Sequence, residues 1–273
     1  MRAPSDPVRK FFADRGPHLA AMIAYFALLS FVPLLFLTIS LLALAGRPDE
    51  SSYLVTELKR AFPGSSVSSI VNTITGIQEH ATALGIVGGA ALLWTSLSLF
   101  SVLESAMNIV YGQPNRSFLR GKLLAVGLML LSLVAMFVGL LVGSFGFDLL
   151  KRYAAGFAGN GYVAYGLSVG VSLLGVFVFL VAIYYFLTNV EHSFVDVLPG
   201  AVVAAIVLEA SFQVLPLYVR FSSNVVALKA FGGPALLLVW LYVMSNVIVF
   251  GAEVNWWLSR RATREVEEAA GLA

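Results

Sequence analysis

The sequence predicts an all-α membrane protein: a polytopic bundle of six transmembrane helices with short external amphipathic helices. Three observations carry this. Of 273 residues, 59% are hydrophobic and only 12% are charged, about half the charged share of a soluble domain. The mean hydropathy is +0.88. The apolar residues also fall into runs of about 20 or more, the length a helix needs to cross a bilayer.

Taken in order, the runs place spans at approximately 19–45, 83–110, 123–147, 163–187, 198–220 and 234–258, in one integral membrane domain covering 1–273. Leu19 to Ala45 is uncharged. The second span carries Glu104, and the third, Leu123 to Phe147, is again uncharged. Gly156 to Gly161 is glycine-rich and reads as the loop before the fourth. The fifth carries Glu209, and the sixth carries Glu253 near its end. Ala43-Leu44-Ala45 imitates a signal-peptidase site, but the apolar run is too long for a signal peptide and a polar stretch precedes it. A retained helix is the better reading.

Arginine and lysine set the orientation. Arg2, Arg9, Lys10 and Arg15 precede the first span, Arg116, Arg120 and Lys122 follow the second, and Arg260, Arg261 and Arg264 follow the sixth. The alternate loops carry fewer. Both termini are therefore expected in the cytoplasm. The external segment, approximately 47–80, has Leu54, Leu58 and Ala61 at helical spacing, and Ile70 and Ile74 likewise. This predicts a helical cap on the membrane surface. A lid over an opening and a simple connector fit equally.

Ionisable and polar residues within spans give the functional clues, because each is costly in lipid. Glu209 lies about 16 Å along the fifth helix, near mid-membrane. Gln213, Pro216 and Arg220 follow at i+4, i+7 and i+11 and share its face. Two readings follow: the lining of a substrate path, or a buried pair holding helices together. Asn246 and Glu253 share a face of the sixth helix and extend the candidate path. Glu104 and Asn108 on the second helix, with Arg116 and Arg120 after it, form a candidate polar cluster on the cytoplasmic side. For Glu104 an ion pair fixing a helix end is the preferred reading. Arg116, Arg120 and Arg15 are the expected partners of Glu104 and Glu253.

Gly85/Gly89, Gly139/Gly143 and Gly166/Gly170 are small-xxx-small pairs that permit close packing within or between copies. A homo-oligomer is thus permitted, and membrane lipids are the expected partners. The basic loop from Arg116 to Lys122 is better explained by orientation than by nucleic-acid binding. There is no cysteine, and the histidines His18, His80 and His192 are far apart. No metal site, cofactor, catalytic residue or enzyme motif is predicted. An enzyme would have to draw on Glu104, Glu253 and His192.

Three stretches carry a family resemblance: Met22–Leu35 (MIAYFALLSFVPLL); Trp94–Arg120, with AMNIVY from Ala106 and Arg116-Ser-Phe; and the C-terminal part, with LPGA from Leu198, FGGPA from Phe231, Trp240-Leu-Tyr, and FGAEVN from Phe250. Together, over roughly Pro17 to Trp257, the chain resembles the YihY/BrkB family of bacterial inner-membrane proteins. At Gly233-Pro234 it departs from the family's more usual serine–leucine type of pair. The resemblance implies six spans in the inner membrane, and the family was once labelled ribonuclease BN, a label now regarded as misassigned. It associates the family with serum resistance and with lipid or lipopolysaccharide export, without a common substrate. A transporter or lipid flippase-like protein for lipid or envelope-related substrates is the leading expectation. The alternative is a non-catalytic structural or regulatory membrane protein.

Overall fold

The computed structural model describes residues 6–44, 81–134, 161–191, 193–222 and 226–269. Among them every regular element is helical. In chain order these are α1 (Pro7–Ala13), α2 (Gly16–Leu44), α3 (Ala81–Tyr111), α4 (helical over 118–134), α5 (Gly161–Ala182), a π turn (Ile183–Leu187), a 3-10 turn (Phe194–Val197), α6 (Leu198–Ser222) and α7 (Val226–Ala269). The expected cap at 47–80 and the Gly139/Gly143 pair lie outside the described residues.

Among the described residues, four helices are long and apolar enough to cross a membrane: Gly89–Tyr111, Val169–Leu187, Phe194–Val214 and Ala235–Ala262. Gly16–Phe31 is a shorter apolar stretch of α2. The helix α7 begins earlier and ends later than the apolar run at 234–258 predicts. Its 44 residues span about 66 Å, against a hydrocarbon core of about 30 Å. Beyond Leu258 the sequence turns charged, and the helix continues as a polar extension.

The core is apolar and, unlike in a soluble protein, so is much of the surface of α5 and α6. Along α6 the buried residues are Gly200, Ala201, Ala204, Ala205, Leu208 and Glu209, a stripe at helical spacing. The opposite face, Val202, Val203, Ile206 and Val207, is exposed and wholly apolar. On α5, Val171, Leu174, Val178 and Phe179 are exposed. Ionisable Glu104, Glu209 and Glu253, with Asn108 and Asn255, are buried. An apolar surface, with ionisable side chains kept inside, is what a hydrocarbon solvent selects.

The described residues fall into two compact units. One lies within Met1–Leu19, Leu103–Ala210 and Asn246–Ala273, and the other within Ala20–Val102 and Ser211–Ser245. In the second unit, span hydroxyls turn back on their own helices. Ser30 donates to the Phe26 carbonyl at 2.9 Å, Thr95 to Ala91 at 3.0 Å and Ser245 to Leu241 at 2.7 Å. Each polar group is thereby satisfied without water. The first unit holds the candidate site.

Candidate functional site

The first unit is organised by helix ends. The helix α1 starts at an N-cap, Asp6, whose carboxylate accepts from the Val8 amide at 2.7 Å, with Pro7 in the first turn. Arg15, in the left-handed region at φ 58°, turns the chain into α2. The ring of Phe11 fills the space a Cβ on Gly16 would need. Phe11 also meets Phe250 of α7 edge-on, with centroids 5.9 Å apart.

Beside Phe11, Lys10 is buried. Its ammonium pairs with Asp14, donates to the Val110 carbonyl at 2.6 Å and lies 3.0 Å from Oε2 of Glu253. It also stands 4.2 Å from the ring centroid of Trp256. Glu253 has 0% exposure. The lysine contact is ionic, and among the described residues neither carboxylate oxygen accepts a hydrogen bond. Val110 lies in the last turn of α3, where carbonyls lack intrahelical partners and the helix dipole favours a cation.

A second cluster closes the ends of α3 and α5. Oε1 of Glu104 accepts from the Arg116 amide at 3.2 Å and faces its guanidinium at 3.5 Å. The same guanidinium donates to the carbonyls of Leu187 at 2.7 Å and Thr188 at 2.9 Å. These carbonyls sit at the close of the π turn, where helical partners run out. Asn108 accepts from the Asn189 amide at 2.7 Å and donates to Asn115 at 3.1 Å. A Cβ on Gly121 would stand 2.9 Å from Oε2 of Glu104, so a side chain there would press on the end of that carboxylate.

The helices α6 and α7 touch backbone to backbone. A Cβ on Gly200 would run into the Gly251 carbonyl and stand 2.6 Å from the Asn255 amide; one on Gly251 would meet Tyr184 Oη and stand 2.9 Å from the Gly200 carbonyl. Asn255 caps the start of α6: its Oδ1 accepts from the Gly200 amide at 2.6 Å, and its Nδ2 donates to the Val197 carbonyl at 3.1 Å. Tyr184 donates to the Ile248 carbonyl at 2.8 Å. The LPGA and FGAEVN stretches thus pack on each other.

The predicted residues divide. Glu104, Asn108 and Arg116 come together, while Arg120 is exposed and takes no part in that cluster. Glu253 pairs with Lys10 rather than with the expected arginines. Glu209 is buried and accepts from Ser172 of α5 at 2.7 Å. Gln213 is exposed and Asn246 half-buried. The side chain of Arg220, and the whole of His192, lie outside the described residues. Gly166 and Gly170 are exposed, with nothing within 4 Å of a Cβ. Sequence reasoning missed Lys10, Ser172, Tyr184, Asn255 and the Gly200–Gly251 contact. Asp6-Pro7 was a helix-start signal, and it would have placed Lys10 on a helix rather than in a polar tail.

The amino-acid sequence that builds these clusters has known relatives. The family model described as virulence factor BrkB matches residues 8–271. The chain belongs to the BrkB family. It is 28% identical to the ribonuclease-like protein YfkH of Bacillus subtilis, over 92% of this chain and 93% of that protein. It is 25% identical to a UPF0761 membrane protein of Psychrobacter, over 95% of this chain and 48% of that one. A UPF0761 membrane protein of Chromohalobacter salexigens is 27% identical over 97% of this chain and 65% of its own length. The BrkB-family chain thus spans nearly all of the Bacillus relative and about half to two thirds of the other two. No solved structure matches it.

Proposed function

We propose that this BrkB-family protein spans the bacterial inner membrane six times, with both termini cytoplasmic, and moves a lipid or envelope-related amphiphile. One observation carries the reading: the Ser172–Glu209 hydrogen bond. Glu209 is the twelfth of 25 residues in α6, and Ser172 the twelfth of 22 in α5. The pair therefore lies near the middle of both helices. Glu209 is buried, while Ser172 is exposed on the face it shares with exposed Gly175 and Phe179 at i+3 and i+7. A carboxylate reached from a lipid-facing flank is a place for a polar headgroup to be met on its way between leaflets.

The test is reconstitution in vesicles carrying a headgroup-labelled phospholipid, with translocation read by quenching of the accessible label. The wild-type chain is expected to speed translocation, and Glu209→Gln to slow it. Protein that moves neither lipid nor solute, together with a silent Glu209→Gln in cells, would overturn the reading. A second reading, a structural or regulatory partner acting as an oligomer, is favoured by the open flank at Gly166 and Gly170. A monomer in both detergent and lipid counts against it.

A further inference from the structure

We propose that the place held by the Lys10 ammonium is a binding site for a primary ammonium ion, with α1 as its tethered occupant. The part of the site fixed in the bundle has three components. Glu253 contributes a fully buried carboxylate whose oxygens accept no hydrogen bond among the described residues. The Val110 carbonyl, 2.6 Å from Nζ, projects from the closing turn of α3. Trp256 presents its ring 4.2 Å away. An anion, a free carbonyl at a helix C-terminus and an aromatic face each attract a cation, and together they define a cation site.

The ligand class follows from the donors. An ammonium with several N–H groups can serve both the carbonyl and the carboxylate, whereas a quaternary ammonium has none and would leave both unserved. A lone metal ion is a poorer fit, since one carboxylate and one carbonyl supply few of its oxygen ligands. The matching chemistry is an alkylammonium, either a free amine or the headgroup of an ethanolamine phospholipid.

The occupant is built to leave. α1 has 7 residues, and the contacts described between it and the bundle come from Lys10 and Phe11. Val8 and Phe12 are 49% and 65% exposed. Arg15, a non-glycine residue at φ 58°, marks a strained joint to α2. A short element opens locally as a unit, and a competing ammonium offsets the cost of leaving Glu253 without its cation. When it swings away it takes Lys10 and Asp14 with it, and Glu253, Val110 and Trp256 are left for a competing ammonium. The site stands whether or not the protein moves lipid, and its test measures binding alone.

The full chain carrying Lys10→Ala is purified in detergent and melted with ethylammonium or tetramethylammonium chloride at matched concentration. Ethylammonium is expected to raise the melting temperature saturably, as a ligand of the native state does. Tetramethylammonium is expected to have no such effect, and adding Glu253→Gln to remove the rise. Nanodiscs of ethanolamine-headed against choline-headed phospholipid separate the sources. A rise with the free amine assigns a soluble ligand, and a rise with the ethanolamine lipid assigns a headgroup; no rise with either overturns the site, as does an equal rise with both cations. If Lys10→Ala does not fold, tryptic cleavage of the wild-type chain at Arg9 and Arg15 replaces the melt. Ethylammonium is then expected to accelerate cleavage over tetramethylammonium, and equal rates overturn the proposal.

Discussion

Nζ of Lys10 lies 3.0 Å from Oε2 of Glu253, across 243 residues of chain, and the carboxylate has no exposed surface. Removing one partner strands the other in a low dielectric. Lys10→Met and Glu253→Leu are each expected to cost about 3–5 kcal/mol, while the double variant recovers most of the loss, because an apolar pair of similar volume carries no desolvation penalty. Melting of the four proteins in one detergent checks this. Additive losses would mean that the two side chains do not act as a pair.

The contact between α6 and α7 allows a comparison of glycines. Gly200→Ala and Gly251→Ala each push a methyl group into the facing helix and are expected to destabilise by about 1–3 kcal/mol. Gly170→Ala meets nothing within 4 Å. In a monomer it is expected to be neutral or to stabilise by up to about 1 kcal/mol, since alanine is the better helix former. The ordering is read from thermal unfolding. A destabilised Gly170→Ala accompanied by a shift to a smaller assembly would place another copy on that flank.

The sequence made the helical membrane class legible because long apolar runs are local features. It also gave Arg116 as a partner for Glu104, because twelve residues and one loop separate them. It did not give Lys10 to Glu253. Nothing local distinguishes a lysine that caps α3 from the basic residues beside it, and positive charge before a first span reads as a topology signal. The glycines that pack α6 on α7 were missed for a related reason. Small-xxx-small spacing identifies a smooth face on one helix, whereas Gly200 and Gly251 lie on two helices, and their contact is set by where those helices cross. Ser172 gave no signal, since a lone serine in an apolar helix usually bonds its own backbone, as Ser30 does.

Asn255 serves two backbone groups at the start of α6, the Gly200 amide and the Val197 carbonyl. Asn255→Leu leaves both buried without that partner, at about 1–3 kcal/mol for each group left unserved. Asn255→Asp keeps the acceptor for Gly200 but loses the donor to Val197, and the expected cost is intermediate on the backbone side, with an added penalty for a buried charge. Hydrogen exchange at the Gly200 amide checks the assignment: it is expected to quicken in Asn255→Leu. Unchanged exchange would show that another group holds that amide.

Arg116 reaches three acceptors from one planar group: Glu104, the Leu187 carbonyl and the Thr188 carbonyl. Lysine keeps the charge but not the fork. Arg116→Lys is therefore expected to lose about 1.5–3 kcal/mol, the worth of a charged hydrogen bond left unmade. If charge alone mattered, Arg116→Lys would melt with the wild type and Arg116→Gln would not. If the fork matters, Arg116→Lys and Arg116→Gln fall together, and the amides around Thr188 exchange faster in both. Glu104→Gln sharpens the comparison, because it keeps an acceptor for the Arg116 amide while removing the ion pair. A loss in Glu104→Gln smaller than that in Arg116→Lys would assign the guanidinium chiefly to closing α5, with the carboxylate as its support.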